Sequence, residues 1–416
     1  MRRNRTNALR TALFRSVVNA ACLASLMFAV DARAQIAVRG DLVYTMAGPA
    51  IERGLVLVRD GKIESGGSQG DTQVPSGYRV LEAAVVTPGL VDAHATVGFS
   101  GIYNQPHDQD QLEKSDPIQP ELRAIDGYNA REKLVEWVRD LGVTTIHTGH
   151  GPGALISGQT MIVKTDGETV ETALVDSAFA LAMTLGSGVS SNFDSPGTRS
   201  KGIAMIRKSL VEARNYVEKR ENEEEKDRPG RDLKLETLVA LLDGEFVAMI
   251  TANRAAEILG ALRLAREFGF RMVLDGGAEA YLVLDEIRNA DVPVIIHPLM
   301  ARASGEMRNM SFETPSVLRD AGIPFAIQSG FESYVPKTRV ILFEAAIAAA
   351  NGLSRDEALA AVTISPARIL GVDTRVGSLE PGKDADVVLY DGDPFEYTTH
   401  VCTVIIDGQV VSDECR

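Results

Sequence analysis

Hydrophobic and polar positions along the 416 residues fall into two rhythms. Short runs with strand-like alternation come first, IAVRGDLVYTM, GLVLVRDGKI and YRVLEAAVVT, and two more, DADVVLYDG and CTVIIDGQVV, close the chain. Between these ends, apolar strand-like stretches alternate with segments whose apolar residues recur at i, i+3 and i+4. REKLVEWVRDLG, ANRAAEILGALRLAREFG, AYLVLDEIRNA and RVILFEAAIAAANG are of the second kind. The strand candidates are GLVDAHA, VTTIHTG, MIVKT, ALAMTLG, FVAMITA, RMVLDGG, VPVIIHP and PFAIQSG. Eight strands alternating with helices predict a parallel α/β fold closed into a (β/α)8, TIM-like barrel. A doubly wound sheet is the rival, but no Gly-x-Gly-x-x-Gly follows the first strand. The β-rich ends predict a small β-sandwich domain from residues 35–87 and 373–416, around a barrel of residues 88–372.

Two stretches break the pattern. Residues 1–34 begin with a cationic run, continue with the apolar VVNAACLASLMFAV and end in Ala32-Arg33-Ala34. That is the layout of a secretory signal peptide, too short and wrongly flanked for a membrane span. The expectation is an exported chain, periplasmic or secreted, starting at Gln35 and without a membrane span. Residues 218–234, EKRENEEEKDRPGRDLK, are almost wholly charged and read as a solvated helix end and loop.

Charge narrows the partners. The formal net charge is −14, and removing six Arg and one Asp with the leader leaves 37 basic and 56 acidic residues, or −19. Such acidity argues against nucleic acid and anionic membrane surfaces. Cys402 and Cys415 remain after cleavage; they have no metal-site spacing and can either pair or stay as thiols.

In a barrel of this kind, chemistry sits at the C-terminal ends of the strands. The polar or small residues there are His94 and Thr96, His147 and His150, Thr251 and Asn253, Asp275 and Gly276, His297, then Gln328, Ser329, Gly330 and Glu332. PGLVDAHAT at 88–96 resembles the Pro-Gly-x-x-Asp-x-His-x-His opening of the amidohydrolase superfamily. GSLEPGKDADVVLYDGDP at 377–394 is similar to its closing segment, and GVTTIHTGHGPGALISGQ and DGGAEAYLVLDEIRNADVPVII resemble its exported, imidazolonepropionase-like branch. The resemblance implies one or two divalent metals held by His-x-His on the first strand, His on the fifth and sixth, and Asp on the eighth. It also implies hydrolysis of non-peptide C–N bonds, amide or lactam, by a metal-activated water.

Carried over residue by residue, that ligand set departs from the family pattern. His94 matches, but the remaining positions fall on Thr96, Thr251, Gly276 and Gly330, and no His occurs between 151 and 296. A catalytic zinc takes three protein ligands plus water. The expectation is therefore a catalytically silent relative, a pseudoenzyme without a bound cofactor, that binds a small-molecule ligand or serves as partner subunit to an active amidohydrolase-like protein. The resemblance also suggests a homodimer or a heteromer. One alternative is an active hydrolase with Zn or another divalent metal displaced onto His94, His147 and His297, and another is a metal-free enzyme using the same cleft for other chemistry. In each case the substrate-cleft candidates are His94, Thr96, His150, Thr251, Gln328 and Glu332. Ser157 and Ser329 sit in Gly-flanked loops that are not nucleophile elbows, and Asp92 reads as a brace for the strand end.

Overall fold

The computed structural model describes residues 35–415 apart from 104, 223, 225 and 331–339; the leader lies outside the described residues. The first four strands are β1 (Ile36–Val43), β2 (Ile51–Arg59), β3 (Lys62–Ser68) and β4 (Arg79–Pro88). Asp60 and Gly61, both at positive φ, form the two-residue turn joining β2 to β3, the geometry an Asp-Gly pair favours between twisted strands.

The barrel strands follow as β5 (Leu90–Ala95), β6 (Val143–Gly149), β7 (Ile156–Lys164), the short side strand β8 (Leu174–Asp176), β9 (Ala180–Thr184), β10 (Val247–Ala252), β11 (Met272–Gly276), β12 (Val294–Ile296) and β13 (Phe325–Ile327). The chain closes with β14 (Val387–Tyr390), β15 (Val401–Ile406) and β16 (Gln409–Ser412). The last three join the first four in one seven-stranded sheet, ordered β16-β15-β14-β4-β1-β2-β3. Its alternation is visible in packing. Val387 and Leu389 join the end sheet's own core with Ile36, Val38, Val56 and Val86, whereas Val388 and Tyr390 turn into the barrel's core.

The barrel sheet runs β5-β6-β7-β9-β10-β11-β12-β13, and a bridge between Ala95 and Gly330 brings its two edges together. Every residue of β5, β6, β7, β9, β11 and β12 is buried, as expected of strands covered on both faces. One expectation needs correction. The third strand starts at Ile156, not Met161, and runs antiparallel to both neighbours. The six residues from His150 to Leu155 are too few for the crossover that a parallel neighbour requires, so β6 and β7 form a hairpin.

Ala93, Ala182, Met249, Val273, Ile295 and Ala326 pack together as an interior layer. Two residues further along their strands, Thr251, Asp275, His297 and Gln328 occupy the next layer toward the mouth. β5 reaches both layers through a bulge: Asp92 pairs with Ile146 but Ala95 with Thr148, which inserts one extra residue. Ala93 and His94 can both face inward as a result.

Candidate functional site

The mouth layer is a network of side chains bonded to one another. His94 Nδ1–H donates to Asp275 Oδ1 at 3.0 Å, Thr251 Oγ to Asp275 Oδ2 at 2.6 Å and Gln328 Nε2 to Asp275 Oδ1 at 2.8 Å. Three donors thus converge on one carboxylate that is 2% exposed. Burial alone would raise the Asp275 pKa, but the charge of His94 and the three hydrogen bonds outweigh it and hold it below the usual carboxylate value. Burial alone would lower His94; the charge of Asp275, its hydrogen bond and the charge of Asp92 win, and His94 is raised. Both directions favour the imidazolium–carboxylate form of the pair.

Asp92 does brace the strand end. It accepts from the Ser329 backbone N–H at 3.0 Å, from the Ser329 hydroxyl, and from the His94 N–H at 3.3 Å, tying β5 to the residues after β13. Burial pushes its carboxyl up to about 6, against the pull of these bonds.

The three imidazoles expected at a displaced metal have different surroundings. His147 packs against His94 with ring centroids 5.7 Å apart, yet both its nitrogens are engaged. Nδ1–H donates to Ala93 O at 2.8 Å, because a carbonyl can only accept, and Nε2 then accepts from Thr160 Oγ at 2.7 Å. Burial and the charge of His94 push its pKa down to about 3, so it stays neutral. His297 donates from Nδ1 to Pro298 O at 3.0 Å, which fixes the turn after β12, and burial lowers its pKa. Among the described residues no three of His, Cys, Asp or Glu are placed to hold a metal ion. As placed, His94 is paired with Asp275, His147 has both nitrogens taken, and His297 holds the turn after β12.

The remaining candidates are dispersed. Thr96 hydrogen-bonds the Ser100 hydroxyl at 2.8 Å and lies outside the Asp275 network. His150 packs at a tilt against Phe99 with centroids 5.5 Å apart; neither ring nitrogen has a partner among the described residues, and burial pushes its pKa down to about 4. Glu332 lies outside the described residues. Sequence reasoning placed Asp275 at the mouth but left it out of the cleft. Its signal was the alternation itself, since Val273 faces the interior and Asp275 is two residues on.

The two glycines at family ligand positions are set by the backbone. Gly276 has φ +86° and Gly330 φ +71°. A Cβ would lie 2.6 Å from Asn253 Oδ1 at Gly276 and 2.4 Å from Pro298 Cγ at Gly330.

Comparison with known proteins agrees with this architecture. A model of the amidohydrolase family matches residues 336–412. Amidohydrolase tasK of Hapsidospora irregularis is 26% identical over 88% of this chain, which spans 40% of that relative's length. An imidazolonepropionase of Shewanella frigidimarina is 25% identical over 87% of this chain and 93% of its own. The crystal structure of an amidohydrolase from Thermotoga maritima MSB8 superposes with a TM-score of 0.85 at 30% identity, covering 91% of this chain and all of that one.

Proposed function

The chain belongs to the amidohydrolase superfamily, in its imidazolonepropionase-like branch, and we propose that it is a member whose metal-dependent hydrolysis has lapsed, kept in the cell envelope to bind a small molecule. One observation carries this reading. The side chains around the family's metal position satisfy each other, with His94, Thr251 and Gln328 all donating to Asp275. The imidazolium supplies the positive charge that a metal would otherwise bring to this carboxylate.

The donor set does not fit the family's metal. One imidazole, two threonine hydroxyls and two glycines cannot replace the three protein ligands that a catalytic zinc takes. Gly330 in place of the carboxylate also removes a proton acceptor, typically worth a factor of ~10² to 10⁴. Export is supported by the Cys402–Cys415 disulfide, which belongs to an oxidising compartment. The first 34 residues support it independently.

A second reading, an active hydrolase with a displaced metal, draws on two buried atoms without a partner among the described residues, His94 Nε2 and His297 Nε2. The discriminating experiment is metal content of the chain from Gln35, purified without chelator and offered Zn²⁺, Mn²⁺ or Fe²⁺, with lactams and N-acyl amino acids assayed alongside. The silent reading expects metal at background and no turnover. About one metal per chain, lost in His94→Ala, together with turnover, would overturn it.

A further inference from the structure

A cavity of about 330 Å³ opens beside this network on the same end of the barrel. It begins one residue past β9, at Leu185, whose N–H donates to Thr251 O at 2.9 Å. From there it extends to Glu257 in the helix Ala255–Phe268 that follows β10. The volume falls in the range of small-molecule sites, ~300 to 1,000 Å³.

Its walls have two characters. Leu155, Leu185, Pro196 and Ile203 give one apolar side. On the other, Arg199 Nε donates to Glu257 Oε1 at 2.9 Å, and Glu257 is only 2% exposed. The second Glu257 oxygen accepts from Arg254 N–H at 3.2 Å, so this carboxylate is spent. Arg199 is not. Its side chain is half exposed, and its two terminal nitrogens have no partner among the described residues. Glu306, the nearby second carboxylate, is not part of the lining; it accepts from the Ser187 N–H beside Gly186. A buried anion thus holds the guanidinium by one edge and leaves the other free for a ligand.

We propose that this cavity binds a small carboxylic acid with an apolar body. The carboxylate takes the two terminal nitrogens of Arg199 as a fork, the geometry a guanidinium favours for that group. The body packs on Leu155, Leu185, Pro196 and Ile203. This assignment rests on reading the chain as a small-molecule binder, and it names the ligand's chemical class.

The test is calorimetric titration of the chain from Gln35 with 4-phenylbutyrate, its neutral amide and 4-phenylbutylamine, each recovered intact afterwards. The acid is expected to bind at least tenfold more tightly than the amide, and the amine not at all. Arg199→Gln alone would strip buried Glu257 of its partner, so it is combined with Glu257→Gln; acid and amide should then bind within twofold of each other. Gly202→Leu reports independently. A Cβ at Gly202 meets Leu155 Cδ2 at 3.1 Å and Pro196 Cγ at 3.4 Å, so the added side chain fills the cavity and should abolish acid binding. Failure of the acid to bind wild type, equal binding of acid and amide, preference for the amine, or acid binding unchanged in both variants would each overturn the proposal. Metal content and turnover decide the silent reading without reference to this cavity. The ratio of acid to amide decides the cavity whether or not a metal binds.

Discussion

Putting back the missing carboxylate by Gly330→Asp tests whether lost ligands can be restored one side chain at a time. The backbone at 330 has φ +71°, where an L-residue costs ~1 to 2 kcal/mol. The new Cβ would stand 2.4 Å from Pro298 Cγ and 3.1 Å from Pro298 Cδ. A proline ring is not the end of a flexible chain and cannot swing aside, so overpacking adds ~1 to 3 kcal/mol. Together these come to about 2 to 5 kcal/mol, or a Tm lower by about 4 to 10 °C at ~2 °C per kcal/mol. Scanning calorimetry of wild type, Gly330→Ala and Gly330→Asp measures it. The alanine variant should carry most of the loss, because both costs come from the Cβ and not from the charge. If Gly330→Asp melts within 1 °C of wild type, or if Thr96→His/Gly330→Asp takes up one metal per chain at unchanged stability, the backbone is not what bars the ligand.

Other outcomes follow from buried charges. Lys164 Nζ lies 2.5 Å from Asp386, 3.2 Å from Asp384 and 3.5 Å from Asp407, and Lys164→Met should cost ~3 to 5 kcal/mol because Asp386 is left buried without its cation. Burial lowers the Lys164 pKa, but the three carboxylates outweigh it and raise it above the ordinary lysine value. The lysine's contribution is therefore full below the unfolded value and fades as pH climbs through the raised folded one. The Tm gap to Lys164→Met should narrow there, and a constant gap would refute the assignment. Asp275→Asn keeps the shape, but the amide must present an NH₂ to one of three former donors; a loss of ~3 to 5 kcal/mol by thermal melting is expected, and a loss under ~1 would disprove the ion pair. Cys402 and Cys415, 13 positions apart, should give up ~3 kcal/mol when both are Ser. On the proposed export, intact mass of the mature protein should show the bond and a start at Gln35; a free-thiol mass or an uncut leader would refute it.

Much of the fold was legible because its signals are local. Each barrel strand announced itself as an apolar run between turn residues, and the Asp60-Gly61 turn is specified by two residues. The direction of β7 was not, since an apolar run has no polarity; only the shortness of the 150–155 connection contains that information. Site residues divided the same way. Thr251, Gln328 and His94 were identified as mouth residues by their place at strand ends. What they would bond to depended on Asp275, a partner 181 residues from His94 in sequence. His147 pointed inward as its alternation required. Its two ring nitrogens are taken by Ala93 O and Thr160 Oγ, one on each side, which no spacing in the sequence reveals.

The end sheet has a consequence for how the protein is made. β4 sits between β1 and β14, and Val387 is the partner of Pro88. During synthesis, β1 to β4 emerge early, but one edge of β4 stays bare until nearly the whole chain has followed. An open strand edge of Val and Thr is a template for pairing with any other chain. Truncation after the barrel, near residue 372, would make that edge permanent. The 44 residues after 372 therefore act as the latch that ends a vulnerable interval, and shortened forms should accumulate as aggregates even though every barrel strand is present.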